Sequence, residues 1–431
     1  MTRPQVASRS EVARGLRASV CAATPRRGSL LYKKLLVACA AGFILAAFGV
    51  EKAPDALKVV FYCDRGVGVD LVGRLMDDCP EFIVTFANGK EIGEGALDGA
   101  DMVVHSGGGG ESQFLGLGEK GVAAEREFVK KGGLYHGTCA GAFLVLEETR
   151  RKRNHMVPFK PDDPDHYRGG ATVELEFTEA GLAAMGQTGP RMVRYHGGPA
   201  MIPGKPVEGA DMKVFAYYGQ KMEKIEKPTA DVRGMAGKAA IVAGTFGKGK
   251  IFICGPHPES GRSTQDIFYK GLEWLTGRKL HPSPKKRIAG APNVYAPMGY
   301  NTPEGARMSQ KLWHSTAYNR VLSSAMGDVA LLIDPKKKTF KELKDFKGPV
   351  VVLSTHADTA AEIKASERKD LMVATSAAEA LAKLKEALAG KDEGSEKDEG
   401  SELIDSVKQY CKRSCMLRAL AETNIHRSKV K

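Results

Sequence analysis

Cysteine pairing is the first thing this 431-residue chain lacks. It has eight cysteines but no Cys-x-x-Cys pair, so neither a zinc site nor a dense disulfide framework is signalled. No apolar run reaches the roughly 20 residues that a membrane-spanning helix needs. The stretch LLVACAAGFILAAFGV covers only residues 35–50. Nor does the body carry a strong charge of one sign. The formal charge of +13 is concentrated in the first 50 residues, with eight Lys/Arg against one Asp/Glu, and the remainder holds 56 against 50. So slight an excess does not suit a nucleic-acid partner. What is present, 42% hydrophobic residues over this length, is enough for two or three domains and a sizeable core.

The leader explains the charge. RRGSLLYKK precedes the apolar stretch, and a basic region followed by a short apolar one reads as a secretory signal. Ala47-Phe48-Gly49 offers small residues at cleavage spacing. The alternative is an uncleaved N-terminal anchor. The basic region is long for a signal, which places the true start nearer Leu30. We therefore expect an extracytoplasmic protein, periplasmic or secreted, that meets the membrane only through residues 1–50.

Downstream the pattern alternates. LKVVFYCD, GVDLVGRLMDDC and FIVTFA read as strand, helix and strand. ADMVVHSGGGG is a third apolar run ending in glycines, and EKGVAAEREFVKKGG (119–133) is an amphipathic helix with a glycine stop. LYHGTCAG and an apolar helix follow. Such alternation implies a parallel sheet covered on both faces, with ligands beyond the carboxyl ends of the strands. Residues 150–235 are turn-rich with short antiparallel strands, an insertion or an extension of the sheet. AAIVAGTFGKGKIFICGPHPE (239–259) is a hairpin whose second strand ends in His257-Pro258-Glu259.

HPSPKK (281–286) marks a boundary. The expected organisation is a leader over 1–50, a main domain over 57–280 and a C-terminal α/β or helical region over 287–390. A charged linker at 391–402, the perfect duplication KDEGSEKDEGSE, precedes a basic tail at 403–431. The repeat has nothing apolar to bury and is expected to be solvated. Cys411 and Cys415 share a face of an expected helix, and two thiols alone do not make a metal site. No metal and no cofactor are expected, and the sequence assigns no oligomeric state.

GGLYHGTCAGAFLV (132–145) poses the chemical question. Cys139 stands between Gly137-Thr138 and Ala140-Gly141, where a strand must turn sharply into a helix. A buried structural thiol is the plain reading. The other is a nucleophile on a strained elbow, because a thiol attacks when ionised and a helix N-terminus favours that form. A base must sit within reach, normally a histidine oriented by a carboxylate. His257 ends a strand, and Glu259 lies two residues on. In an extended segment the two side chains point the same way, so Glu259 can hold the ring while it faces Cys139. Gly107, Gly108 and the Ala140 amide are the candidate oxyanion donors. Tyr195 and His196, in YHGGP, are weighed between site wall and structural turn. His136 is expected on the face opposite Cys139, in the core. His314 and Trp313 are expected to pack in the C-terminal region. GEG (93–95) and GVG (66–68) are weak glycine patterns to which no phosphate is assigned.

GTCAGA, PHPE and the loop SGGGG resemble the class I glutamine amidotransferase-like superfamily. Within it, FVKKGGLYHGTCAGAFLV, YHGGP and GKGKIFICGPHPE are most similar to the biotin–protein ligase N-terminal-like family. The resemblance spans about residues 57–280. It implies a flavodoxin-like, mostly parallel sheet with helices on both faces, Cys139 as nucleophile, His257 as base and Glu259 as orienter. No synthetase domain and no biotin-ligase catalytic domain is recognisable downstream, so the resemblance bears on the triad rather than on glutamine as substrate. The function expected is an exported Cys-His-Glu hydrolase or amidotransferase-like enzyme acting on an amide or ester of a small molecule or peptide. The alternative is a non-catalytic ligand-binding or scaffold protein on the same fold.

Overall fold

In a computed structural model of the chain, residues 52–389 are described, except 69–70, 148–153, 163–166, 168, 227–231, 298–300, 322–323, 336, 356, 367 and 369. The leader, the charged repeat, the basic tail and Cys21, Cys39, Cys411 and Cys415 lie outside these residues. No helix among the described residues is long and apolar enough to cross a membrane.

The chain opens with β1 (Leu57–Tyr62), α1 (Leu71–Asp77), β2 (Phe82–Ala87), α2 (Gly89–Gly93), β3 (Met102–His105), α3 (Gly110–Lys130), β4 (Leu134–Thr138) and α4 (Ala140–Phe143). β3 is buried throughout and β4 nearly so, as expected of parallel strands covered on both faces. In α3 the buried positions Leu117, Gly121, Glu125 and Val129 recur every four residues, a stripe that lies on one helix face. The stripe places a carboxylate, Glu125, against the sheet. α3 is broken at Gly118 (φ 62°, ψ 176°). The amphipathic pattern from residue 119 therefore captures its second part, and the turns after the glycine run are additional.

The next elements are β5 (Phe159–Pro161), β6 (Gly170–Phe177), α5 (Glu179–Met185), β7 (Arg191–His196), β8 (Met201–Pro203), β9 (Ala210–Glu226), β10 (Ala239–Phe246), β11 (Gly249–Cys254) and α6 (Gln265–Thr276). The sheet runs β2-β1-β3-β4-β11-β10-β9-β6-β7, with β8 beside β10 and β5 beside β8. From β2 to β11 all pairs are parallel, and from β11 onward they are antiparallel. The class is α/β, and the 150–235 segment extends the sheet. β10 and β11 form the expected hairpin, with Phe246 opposite Gly249 and Gly247 at φ 60° in the turn. Returning β11 beside β4 is what brings the second half of the sequence to the Cys139 turn.

Beyond residue 287 lies β12 (Asn293–Tyr295), α7 (Pro303–His314), β13 (Asn319–Val321), β14 (Val329–Ile333), α8 (Lys337–Glu342), β15 (Val350–Leu353), α9 (Ala357–Lys364), β16 (Leu371–Ala374) and α10 (Ala377–Ala389). Their sheet is wholly parallel, in the order β13-β12-β14-β15-β16. The region is α/β and not helical: its short apolar runs VALLI and VVVL are wholly buried, as parallel strands covered on both faces are. α7 lies over β2, the outer strand of the large sheet, where Gln310 donates to the Val84 carbonyl across 3.3 Å. Such cover protects an edge. Trp313 Nε1 donates to Asp78 across 2.8 Å, and His314 bonds Asp77. These two residues thus link the region of the second sheet to that of the first as well as packing. Burial raises the Asp77 carboxyl, but bonds to His314 and the charges of His314 and Lys52 outweigh it and hold its pKa below the ordinary value.

Candidate active site

β4 ends at Thr138 and α4 begins at Ala140. Between them Cys139 adopts φ 53°, ψ −103°, a conformation a residue with a Cβ rarely takes and that surrounding structure must impose. The flanking glycines allow the imposition. A Cβ on Gly137 would stand 2.6 Å from the Gly141 carbonyl oxygen, and one on Gly141 would stand 2.4 Å from the His105 carbonyl oxygen. Tyr135 donates its hydroxyl to the Gly141 carbonyl across 2.7 Å. The Cys139 amide donates to the Cys254 carbonyl across 2.8 Å, continuing the register in which Thr138 faces Cys254. The elbow is therefore fastened to the end of β11.

Three residues past Cys254 stands His257. Here the expectation of an extended segment fails: Pro258–Ser260 is a single 3-10 turn with His257 at its N-cap. Proline is suited to the first position of such a turn. The side chains of His257 and Glu259 still meet, with Nδ1 2.7 Å from Oε1. Thr264 Oγ1 donates to the Pro258 carbonyl across 2.7 Å, and Gln265 Nε2 to the Glu259 carbonyl across 3.1 Å. The His257 amide donates to the Arg194 carbonyl across 2.7 Å. Both side chains are buried, and Glu259 Oε2 has no protein partner.

Glu259 takes Nδ1 of the ring, and Cys139 acts on the same ring from beside it. Burial pulls the His257 pKa down. The Glu259 charge and the hydrogen bonds to Cys139 and Glu259 overcome it and push the ring up to about 10. The raised pKa favours the protonated ring. Burial pushes the Cys63, Cys79 and Cys254 thiols up, so these three are poor nucleophiles.

Gly107 completes the group. A Cβ there would stand 2.7 Å from His257 Cε1 and 3.6 Å from Cys139 Cβ, so the glycine loop is packed against both. Gly108, at φ 145°, has its would-be Cβ 1.9 Å from the Gly66 carbonyl oxygen. Ala140 is the first residue of α4, directly after the thiol. Gly107, Gly108, Ala140, Cys139, His257 and Glu259 thus gather at the carboxyl end of β3, β4 and β11.

Tyr195 does not line this site. It is fully buried, and its hydroxyl lies 2.7 Å from the Tyr167 carbonyl and 2.9 Å from the Gly198 carbonyl. Its single proton is taken by the backbone, so the substrate-binding reading is corrected to a structural one. The alternation along β7 that buries Val193 and Tyr195 leaves His196 exposed. His196 borders the nucleophile through its carbonyl, which accepts from Cys139 Sγ at 3.6 Å. His136 is buried beside Phe252 and Phe268, and burial lowers its pKa to about 4.

Three features escaped the sequence. Gly66 and Gly68 back onto Gly107–Gly109, with the Gly68 amide on the Gly107 carbonyl at 2.9 Å and the Gly109 amide on the Gly66 carbonyl at 2.8 Å. Gln113 is buried below them. His105 and Glu125 form a wholly buried pair at 2.6 Å beneath the elbow, its imidazole stacked between Tyr62 and Tyr135. A carboxylate at a four-residue apolar spacing in α3 was the signal for the last. Among the described residues, no three His, Cys, Asp or Glu are grouped as metal ligands would be.

No protein-family model matches the chain, and no curated protein matches it. Among solved structures it is similar to a protein of Thermoplasma acidophilum described as part of a GMP synthase, at 16% identity and a TM-score of 0.34, over 51% of this chain and 95% of that one. It is similar to a cytoplasmic protein of Salmonella typhimurium at 11% identity and a TM-score of 0.32, over 51% and 98% of the two chains. It is also similar to the carbohydrate deacetylase Agd3, at 9% identity and a TM-score of 0.35, over 56% and 35%. These likenesses assign no role to any residue.

Proposed function

We propose that residues 57–280 form a thiol-dependent acyl-transfer enzyme of the glutamine amidotransferase-like kind, nearest in motif to the biotin–protein ligase N-terminal-like family. Its substrate is an amide or ester of a small molecule or peptide. The observation that carries this reading is Cys139, held at positive φ on a glycine-flanked elbow beside a histidine whose other nitrogen is fixed by a buried glutamate.

On this reading the Cys139 thiolate attacks the substrate carbonyl carbon, a C–S bond forms and the oxygen becomes an oxyanion. Backbone N–H groups of Gly107, Gly108 and Ala140 are the donors to that oxyanion. Collapse breaks the C–N or C–O bond, and His257 Nε2 passes its proton to the departing amine or alkoxide. Water, or an amine in amidotransfer, then attacks the thioester while His257 takes its proton, which returns the free enzyme. Glu259 keeps the ring in the tautomer and orientation that both steps need. The leader of residues 26–50 carries the chain out of the cytoplasm, a proposal that a reporter fused after residue 60 tests by its compartment of activity.

The central test is iodoacetamide labelling at neutral pH, read by peptide mapping, together with profiling by electrophilic amide and ester probes. We expect fast labelling at Cys139 that His257→Ala slows, and acyl probes that Cys139→Ser abolishes. Slow, His257-independent labelling with no acyl adduct would favour a binding protein on the same fold.

A further inference from the structure

We infer that Gln113 is a positioning residue for the oxyanion site, an inference that rests on the acyl-transfer reading above. Gln113 belongs to the first turn of α3 and is fully buried. Its Nε2 donates to the Ser106 carbonyl across 3.0 Å and to the Gly66 carbonyl across 3.3 Å. Its main-chain carbonyl accepts from the Tyr62 hydroxyl across 3.3 Å. One side chain therefore ties together the two glycine loops that follow β1 and β3.

The consequence follows from peptide geometry. The chain has no cis peptide among the described residues, so the C=O and N–H of each peptide unit point in opposite directions. Gln113 holds the Ser106 carbonyl toward α3, which turns the Gly107 N–H away from α3. A Cβ on Gly107 would stand 2.7 Å from His257 Cε1 and 3.6 Å from Cys139 Cβ, so this residue borders the catalytic pair. In the next peptide the Gly107 carbonyl is held by the Gly68 amide, and Gly68 belongs to the loop that Gln113 grips through Gly66. The orientation of two candidate oxyanion donors is thus set by one buried carboxamide. Gln113 Oε1 has no protein partner. A buried amide half left unbonded is costly, and packing alone would be better served by an apolar residue, whereas the Nε2 donor is used twice.

Two reactions of Cys139 separate this role from a structural one. Iodoacetamide alkylation forms the C–S bond, expels iodide and passes through no oxyanion. Acylation by p-nitrophenyl acetate forms a C–S bond, passes through an oxyanion and expels p-nitrophenolate, leaving an acetyl thioester. Cys139→Ser supplies the background for both. Gln113→Met keeps the volume and removes the donor. We expect it to lower acylation about 10–100-fold while alkylation, governed by the thiolate, stays within about twofold.

Gln113→Glu is the second variant and guards against misfolding of the first. A carboxyl buried against two carbonyls keeps its proton to higher pH, and the protonated form restores one donor. The ratio of acylation to alkylation cancels the shared titration of Cys139. That ratio should approach wild type near pH 6 and fall by about tenfold at pH 9. A ratio unmoved in both variants, with wild type readily acylated, overturns the role of Gln113 and leaves the acyl-transfer reading standing. A wild type that is alkylated at Cys139 but never acylated overturns both.

Discussion

His257 Nδ1 stands 2.7 Å from Glu259 Oε1 across a single intervening proline, and the 3-10 turn closes the pair. The His257 pKa is raised from about 6.5 to about 10 although burial opposes the rise, with Glu259's charge the largest raising influence. A histidine raised in the folded state contributes stability that is complete below its unfolded pKa and is lost as pH climbs through the folded one. Glu259→Gln removes most of that contribution. Urea unfolding should show the largest gap between wild type and Glu259→Gln near pH 6, narrowing toward pH 10. A gap constant across that range would show that the two groups are not electrostatically coupled.

The elbow tolerates no added methyl group. Gly141→Ala drives a Cβ to 2.4 Å from the His105 carbonyl oxygen and 2.6 Å from its Cβ. Overpacking of this kind costs about 1–3 kcal/mol. We expect Gly141→Ala to lower stability by that order in urea and to slow Cys139 alkylation, because relief of the clash rotates the turn. Gly186→Ala serves as a control. Its φ of 58° also strains alanine, but it has nothing within 4 Å, so it should leave alkylation unchanged.

Much of this site was legible because it is local. The glycines two residues to either side of Cys139, the glycine run after β3 and the His-Pro-Glu triplet are each short signals at strand ends, where ligands gather in a parallel sheet. What was missed depends on direction or distance. His257 and Glu259 were correctly paired by their separation of two, but the reason is a proline-started turn and not strand alternation. Tyr195 and His196 share the motif YHGGP, which left both open between site wall and structural turn. The pleat of β7 turns the two in opposite directions, and only a known core decides which faces in. Gly66 and Gly68 acquire a role only through β3, about 40 residues away and adjacent in the sheet. In the region of the second sheet, runs of four or five apolar residues did not separate strand from helix, and parallel pairing resolved it.

The buried His105–Glu125 pair should behave as a unit. Both side chains are wholly buried, with one nitrogen and one oxygen left unbonded. Removing one member strands the other in an apolar setting, which costs about 3–5 kcal/mol, whereas replacing both by apolar residues is often neutral. Glu125→Leu alone should therefore be strongly destabilising, and adding His105→Phe, which can keep the stack between Tyr62 and Tyr135, should restore most of the loss. Additive costs in a urea double-mutant cycle would contradict the coupling.

His136 makes the opposite prediction to His257. It lies on β4 three residues before the nucleophile, in parallel contact with Phe252 at 5.8 Å and edge-on to Phe268 at 5.6 Å. Its Nδ1 has no partner, and burial alone lowers its pKa to about 4. Between pH 6.5 and pH 4 the unfolded chain binds a proton that the native chain refuses. Stability must fall over that interval, by up to about 3 kcal/mol from this residue. His136→Phe removes the proton-binding group and leaves an aromatic ring among aromatic rings. At pH 7.5 the variant should differ from wild type only by its packing. As the pH is lowered to 4.5 it should gain on wild type by about 2 kcal/mol, read as the change in their urea-midpoint difference at fixed slope. If the difference is the same at both pH values, His136 does not stay neutral in the core. The same variant should leave the Cys139 alkylation rate at neutral pH within about twofold of wild type, because the ring it replaces is packed in the core against Phe252 and Phe268.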